Sequence, residues 1–135
     1  MTVLVARHGL SEANNAESLA FGKPEASLME TGIEQGRALG DTLRGSFSID
    51  TNTAPVAVSE LRRSQETAEA ARFRNVTIDP LLNEVITSLP KPTLKEMIAN
   101  KALPAEAIDV AEAILEDPPS EQIWITHGLV IAGLC

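Results

Sequence analysis

The sequence predicts a protein of the α/β class, a three-layer α/β/α arrangement with a mostly parallel central sheet. Three observations support this prediction: four short apolar runs, helical patterns between most of them, and a length of 135 residues, which is close to that of one domain. Because successive parallel strands need a crossover connection, the alternation of strands and helices favours a parallel sheet. We expect residues 1–135 to form a single domain.

The predicted strands are four runs rich in Val and Ile, at 2–6, 55–58, 76–79 and 122–126. Each run is short and nearly continuous in apolar residues, which is typical of strands that are covered on both faces. In parallel sheets, ligands bind beyond the carboxyl ends of the strands. The residues that follow each run are therefore the first candidates for a functional site.

The segment 30–45 has the pattern of an amphipathic helix. Its core-facing stripe, spaced by three and four residues, would consist of Ile33, Gly36, Leu39 and Leu43. Either Ser27 with Glu30 or Thr31 with Glu34 can form a capping box at its start.

The rest of the chain divides into further helical regions and a loop. Ser59 is a candidate N-cap for a helix over 60–73. Two prolines make the segment 81–92 loop-like, and the segments 93–101 and 103–117 predict one or two more helices.

Charge and composition exclude several classes of function. The chain has 11 Lys and Arg against 19 Asp and Glu, which gives a formal net charge of -8. Such a field repels polyanions, so we expect neither nucleic acid nor a membrane as a partner. Only 3% of the residues are aromatic, which argues against a surface that stacks on bases.

The single cysteine, Cys135, excludes an intrachain disulfide and a cysteine cluster that would bind a metal. The first residues lack the basic segment of a signal peptide, and the apolar tail is shorter than the roughly 18 residues that span a bilayer. We therefore expect a cytoplasmic protein that uses no metal and no other cofactor.

Each predicted strand is followed by a group that can take part in chemistry. These groups are Arg7 and His8 after the first strand, Arg63 after the second, Glu84 after the third and His127 after the fourth. Each histidine precedes a glycine, which allows close backbone approach. Taken singly, each group has a simpler interpretation: a structural histidine, a solvated arginine or an exposed glutamate.

Together, these residue types favour phosphoryl transfer. A guanidinium group can donate two parallel hydrogen bonds to two oxygens of one phosphate. An imidazole nitrogen can attack phosphorus to form a phosphohistidine. A carboxyl group can protonate the leaving oxygen and later deprotonate water. The second imidazole can donate a hydrogen bond to the oxygens as they gain charge. No step of this scheme requires a metal.

The motifs ARHGLSEANN, VAVSELRRSQETAEA, LLNE and ITHGLVI resemble, in that order, those of the histidine phosphatase superfamily, or phosphoglycerate mutase-like family. The resemblance covers most of the chain and implies that fold. It implies that His8 is the phosphorylated nucleophile and Glu84 the acid and base, with Arg7, Arg63 and His127 completing the catalytic set. It further implies that phosphate or substrate is bound by Arg7, Ser11, Asn14, Gly22, Arg63 and His127.

The chain also departs from the family pattern. Leu10 stands where most members have Glu or Gln, and Ala13 where many have Trp, so contacts at the entrance of the site differ. The segment between Glu84 and His127 is short, which predicts an open site of the kind found in phosphatases rather than mutases. Because most members of the family continue beyond the second histidine motif, we expect a truncated or minimal form, in which the apolar end is able to pack against a second subunit in a homodimer.

We therefore expect a metal-independent phosphatase that hydrolyses phosphomonoesters through phosphorylated His8. Its substrate would be a phosphorylated small molecule or a phosphoprotein. Three alternatives stay open: a protein phosphohistidine phosphatase, a phosphoglycerate-type mutase, and a noncatalytic module that binds phosphate without turnover.

Overall fold

A computed structural model describes residues 3–15, 17–85 and 105–134. Within these residues four parallel strands form one sheet: β1 Leu4–Arg7, β2 Pro55–Val58, β3 Asn75–Ile78 and β4 Ile123–Thr126. The α-helices are α1 Glu30–Gly45, α2 Arg62–Ala70, α3 Ala105–Glu116 and α4 Gly128–Leu134. Short 3-10 helices follow β1 at Glu12–Asn14 and β3 at Pro80–Leu82. Most of the loop expected over 81–92 and all of the helix expected over 93–101 lie outside the described residues.

The strand order β1-β4-β2-β3 explains why helices cover both faces of the sheet. The chain passes from β1 to β2 and on to β3, and then reverses direction to reach β4. Because crossovers between parallel strands are right-handed, connections that run in opposite directions leave the sheet on opposite faces. Accordingly, α1 and α2 share a core with Val56 and Ile125, whereas α3 and α4 share a core with Ala57 and Trp124. The three-layer α/β fold is confirmed.

The buried face of α1 is made largely of glycine. Its buried residues are Gly32, Gly36, Gly40 and Leu43, whereas Ile33 is 37% exposed, so the prediction that Ile33 faces the core is wrong. A Cβ atom at Gly40 would lie 2.6 Å from the carbonyl oxygen of Ala71, directly after α2. The backbones of α1 and α2 approach so closely that only glycine fits between them, and this contact sets the rotation of the helix.

The predicted helix caps are also wrong. The N-cap of α1 is Met29, and no side chain caps the helix, so neither proposed capping box forms. The N-cap of α2 is Leu61 rather than Ser59. The hydroxyl of Ser59 is buried at the end of β2, where it bonds to the side chains of Ser64 and His127. It also accepts the backbone N–H of Leu61 at 3.3 Å, so the backbone group that it contacts lies one residue before the helix begins.

Strand β3 differs from the expectation that each strand is covered on both faces. All four of its residues are exposed, including Val76 and Ile78, because β3 lies at an edge of the described sheet. The central strands β2 and β4 follow the expectation, with nearly every residue buried. In the part of the chain that the structure describes, no helix is both long and apolar enough to cross a membrane.

Candidate active site

The register of the sheet brings the two histidines together. Arg7 of β1 is level with Thr126 of β4, so His8 and His127 follow their strands at the same height. The backbone N–H of His8 donates to the carbonyl oxygen of Thr126 at 3.1 Å. The centroids of the two imidazole rings lie 4.9 Å apart, with their planes inclined at 58°. Residues from opposite ends of the chain therefore meet at the carboxyl edge of the sheet.

His8 is buried, and its two ring nitrogens have different partners. Nδ1 lies 2.7 Å from the carbonyl oxygen of Gly9. Because a carbonyl oxygen can only accept, Nδ1 carries the proton and donates it. Nε2 accepts a hydrogen bond from Nε–H of Arg63 at 3.3 Å. The two bonds select the neutral tautomer with an electron pair on Nε2, which is the form of imidazole that acts as a nucleophile.

The pKa of His8 is lowered from 6.5 to about 4, and burial of the ring is the largest cause. Within this net shift, the hydrogen bond to Gly9 acts in the opposite direction and raises the pKa, whereas the positive charges of Arg63 and Arg7 contribute to the lowering. The imidazolium form is therefore disfavoured near pH 7. Nε2 of His8 keeps its electron pair in the pH range where most enzymes work.

The two adjacent arginines of α2 have different environments. Arg63 is 5% exposed, and its guanidinium donates to His8 through Nε and to the carbonyl oxygen of Lys23 through Nη1, the latter at 3.2 Å. The side chain of Arg62 is 59% exposed and lies 3.7 Å from Glu66 one turn later. Of the two arginines, the structure thus brings only Arg63, the predicted one, against His8.

Glu84 lies after the 3-10 helix that follows β3, and it is half-buried. Its Oε1 accepts a hydrogen bond from the backbone N–H of Val85 at 2.9 Å. Burial lowers the pKa of Arg63, and the negative charge of Glu84 opposes this effect. The carboxylate of Glu84 is therefore near enough for its charge to act on the arginine that contacts His8.

His127 is fully buried, and its Nε2 faces two hydroxyl groups. Oγ of Ser59 lies 2.8 Å from Nε2, and Oγ of Ser64 lies 3.3 Å from it. The two hydroxyl oxygens are 2.9 Å apart. Since Val58 of β2 is level with Ile125 of β4, Ser59 and the end of β4 meet at the same edge. Ser64, in the first turn of α2, is a contact that the sequence did not single out.

A cavity of about 360 Å³ opens beside His8. Its described lining consists of Arg7, His8, Gly9, Leu10, Asn14, Gln35, Gly36, Leu39 and Thr67. Arg63 and His127 contact His8 directly but are not among these lining residues, and neither is Glu84. The cavity therefore adjoins the nucleophile on the side of Arg7 and Asn14, with Leu10 and Leu39 as its apolar walls.

The three other predicted ligands belong to the loop after β1. Ser11 is fully buried, and its hydroxyl and backbone N–H both donate to Oδ1 of Asn14, at 3.0 and 3.1 Å. These bonds orient the Asn14 amide so that its Nδ2 is the end that can donate to an anion. The backbone N–H of Gly22 donates to the carbonyl oxygen of Ala13 at 3.0 Å, so this donor, predicted to contact substrate, is already engaged within the loop.

Thr67 is a site residue that the sequence reasoning missed. Its Oγ1 accepts from the backbone N–H of Gly9 at 2.9 Å and donates to the carbonyl oxygen of Arg63 at 2.7 Å. The sequence spacing could have identified it, because Thr67 lies four residues after Arg63 and therefore one turn further along the same face of the helix.

The arrangement can bind an anion and present an unprotonated imidazole nitrogen to it. Two guanidinium groups, of Arg7 and Arg63, act electrostatically on His8, and the Asn14 amide lines the adjoining cavity. Among the residues that the structure describes, no group of three or more His, Cys, Asp or Glu side chains could hold a metal ion.

Comparison with known proteins identifies the family of this chain. The model of the histidine phosphatase superfamily (branch 1) matches residues 3–109. None of the curated proteins matches the sequence at a significant level. Among solved structures, TTHB049 from Thermus thermophilus has a TM-score of 0.67 and 24% sequence identity, over 98% of this chain and 82% of that one.

Two further solved structures are described as phosphatases. The protein histidine phosphatase SixA complexed with tungstate has a TM-score of 0.57 and 20% identity, over 99% of this chain and 74% of that one. A mycobacterial glucosyl-3-phosphoglycerate phosphatase complexed with VO3 has a TM-score of 0.59 and 20% identity, over 98% of this chain and 78% of that one. At these levels of identity, the three solved structures show that the fold is shared.

Proposed function

Because the chain belongs to the histidine phosphatase superfamily, we propose that it is a metal-independent phosphatase that hydrolyses phosphomonoesters through a phosphohistidine at Nε2 of His8. The observation that carries this proposal is the state of His8. Its Nδ1 proton is bound to Gly9 and its pKa is about 4, so Nε2 is an unprotonated nucleophile at neutral pH. Arg7 and Arg63 supply the positive charge that attracts a phosphoryl group.

The reaction has two displacements at phosphorus. In the first, Nε2 of His8 attacks phosphorus while the bond to the leaving oxygen breaks, and the acid form of Glu84 gives its proton to that oxygen. In the second, the carboxylate of Glu84 takes a proton from water, the water oxygen attacks phosphorus, and the electron pair of the P–N bond returns to Nε2. The phosphoryl oxygens are bound by Arg7, Arg63, Asn14 and His127.

The cavity beside His8 is the proposed place for the part of the leaving group that is remote from the leaving oxygen, because Glu84, the proposed acid, is not among the residues that line it. It adjoins Arg7 and His8, and its described walls include the apolar side chains of Leu10 and Leu39. Two solved relatives are complexed with the oxyanions tungstate and VO3, which supports an oxyanion as the ligand of this chain. An apolar wall next to an oxyanion site favours a phosphomonoester whose leaving group is partly apolar.

Turnover of an aryl phosphate in the presence of EDTA tests the proposal. We expect hydrolysis by the wild-type protein, none by His8→Ala, and acid-labile, base-stable phosphate trapped on the wild type alone. The adjacent arginines provide a matched pair: Arg63→Ala should lower the rate by about a hundredfold, as loss of one charge-stabilising donor does, whereas Arg62→Ala should leave it unchanged. Unimpaired hydrolysis by His8→Ala would contradict the mechanism.

The same experiment separates the alternative functions. A noncatalytic module would be stabilised against heat by phosphate and would form no phosphoenzyme. A mutase would yield more isomerised ester than free phosphate. Release of phosphate from a phosphohistidine-bearing protein, compared with release from small phosphate esters, distinguishes a protein substrate from a small molecule.

A further inference from the structure

Four hydrogen bonds join His8 to Arg63 in a closed circuit. In order, His8 Nδ1–H donates to Gly9 O at 2.7 Å, and Gly9 N–H donates to Thr67 Oγ1 at 2.9 Å. Thr67 Oγ1–H donates to Arg63 O at 2.7 Å, and Arg63 Nε–H donates to His8 Nε2 at 3.3 Å. These hydrogen bonds thus link the residues that follow β1, His8 and Gly9, to the first two turns of α2, where Arg63 and Thr67 lie.

We propose that Thr67 is a positioning residue for the phosphorylation of His8. This inference rests on the proposed function. The hydroxyl of Thr67 fixes the backbones of Gly9 and Arg63 at the same time, and through them it fixes both ends of the His8 imidazole. Thr67 acts through these two neighbours, since its single proton is already donated to Arg63.

The bond to Arg63 alone would not support this role. A threonine hydroxyl in a helix often donates to the carbonyl oxygen four residues earlier, and such a bond has little effect on its own. The distinguishing feature is the second bond, because the same oxygen accepts the N–H of Gly9 from a segment 58 residues away. Thr67 is 1% exposed, so removing its hydroxyl leaves the buried N–H of Gly9 without the partner it has in the folded protein, which is costly.

Two substitutions of the same residue test the proposal. Thr67→Val keeps the shape of the side chain and removes the hydroxyl, whereas Thr67→Ser keeps the hydroxyl. In single-turnover measurements with an aryl phosphate, we expect Thr67→Val to form phosphohistidine about a hundredfold more slowly, as a misplaced reacting group does. The substrate concentration at half the maximal rate should change much less, and Thr67→Ser should stay within a few-fold of the wild type.

A second buried threonine provides the control for stability. Thr51 is also 1% exposed, and its Oγ1 accepts from Nη1 of Arg44 at 2.9 Å, away from the circuit. Thr51→Val should lower the unfolding temperature and leave phosphorylation unchanged. If folded Thr67→Val reacted at the wild-type rate, or if Thr67→Ser were as slow as Thr67→Val, the positioning role would be refuted.

Nitrogen NMR tests the circuit without any substrate. The chain contains two histidines, so the His8→Ala variant assigns the imidazole signals. We expect His8 to be the neutral Nδ1–H tautomer in the wild type and in Thr67→Ser, and to populate other forms in Thr67→Val. If the wild type forms no phosphohistidine, the proposed function fails while this spectrum still decides the role of Thr67. An unchanged His8 spectrum in Thr67→Val would overturn the inference about Thr67.

Discussion

The burial of His8 predicts how the stability of the protein depends on pH. The pKa of His8 is about 4 in the folded protein and 6.5 in the unfolded chain. The unfolded chain therefore binds the proton more readily, and acid favours unfolding as the pH falls from 6.5 to about 4. At pH 7 both states are neutral at His8, and below pH 4 the loss is complete. At 1.36 kcal/mol for each pKa unit, the loss amounts to about 3 kcal/mol.

Urea unfolding of the wild type and His8→Asn between pH 7 and pH 4 measures this effect. The Asn amide can donate to Gly9 as Nδ1 does, but it does not titrate. Carboxyl groups become protonated in both proteins, so the difference between the two pH profiles isolates His8. We expect the wild type to lose about 3 kcal/mol more than the variant, nearly all of it below pH 6.5. Equal losses would refute the argument that burial holds His8 neutral.

Three further substitutions test packing and positioning. Gly40→Ala places a Cβ atom 2.6 Å from the carbonyl oxygen of Ala71 and should lower the free energy of unfolding by about 1–3 kcal/mol. Gly45→Ala has nothing within 4 Å of the new Cβ and should raise it by about 0.5 kcal/mol, so urea unfolding of the two variants should show opposite signs. Ser59→Ala removes the hydroxyl 2.8 Å from Nε2 of His127 and should cost about 1–3 kcal/mol in the same assay; an unchanged midpoint would mean that this contact contributes nothing.

The sheet and its helices could be predicted because their signals are local. The apolar runs predict the first and last residue of every strand to within two positions. The bounds of β2 and α1 coincide with those expected. The rotation of α1 could not be predicted in this way. Gly36 and Gly40 of α1 lie against α2 and the residue that follows it, and a pattern confined to one helix contains no information about how closely a second helix approaches.

The candidate site was predictable to the same extent. Rules for parallel sheets place Arg7, His8 and His127 at one edge, and the register brings the two histidines together. The side-chain partners were not predictable, because each is distant along the chain. Ser59 has the local sequence pattern of a helix cap, and its hydroxyl contacts His127 only because β2 pairs with β4. Thr67 likewise becomes a site residue only through Gly9.

Net charge and local charge act on different parts of this molecule. A net charge of -8 would, by itself, attract protons and favour imidazolium at His8. The effect is reversed at the site, because burial is the largest influence on the pKa of His8 and the charges that act on it there, those of Arg63 and Arg7, are positive. Exposed carboxylates are screened by salt over a distance of about 8 Å, whereas the desolvation of a buried ring is not. The protonation state of the nucleophile is therefore determined chiefly by its burial, with a smaller contribution from the charges of Arg63 and Arg7, and not by the net charge of the chain.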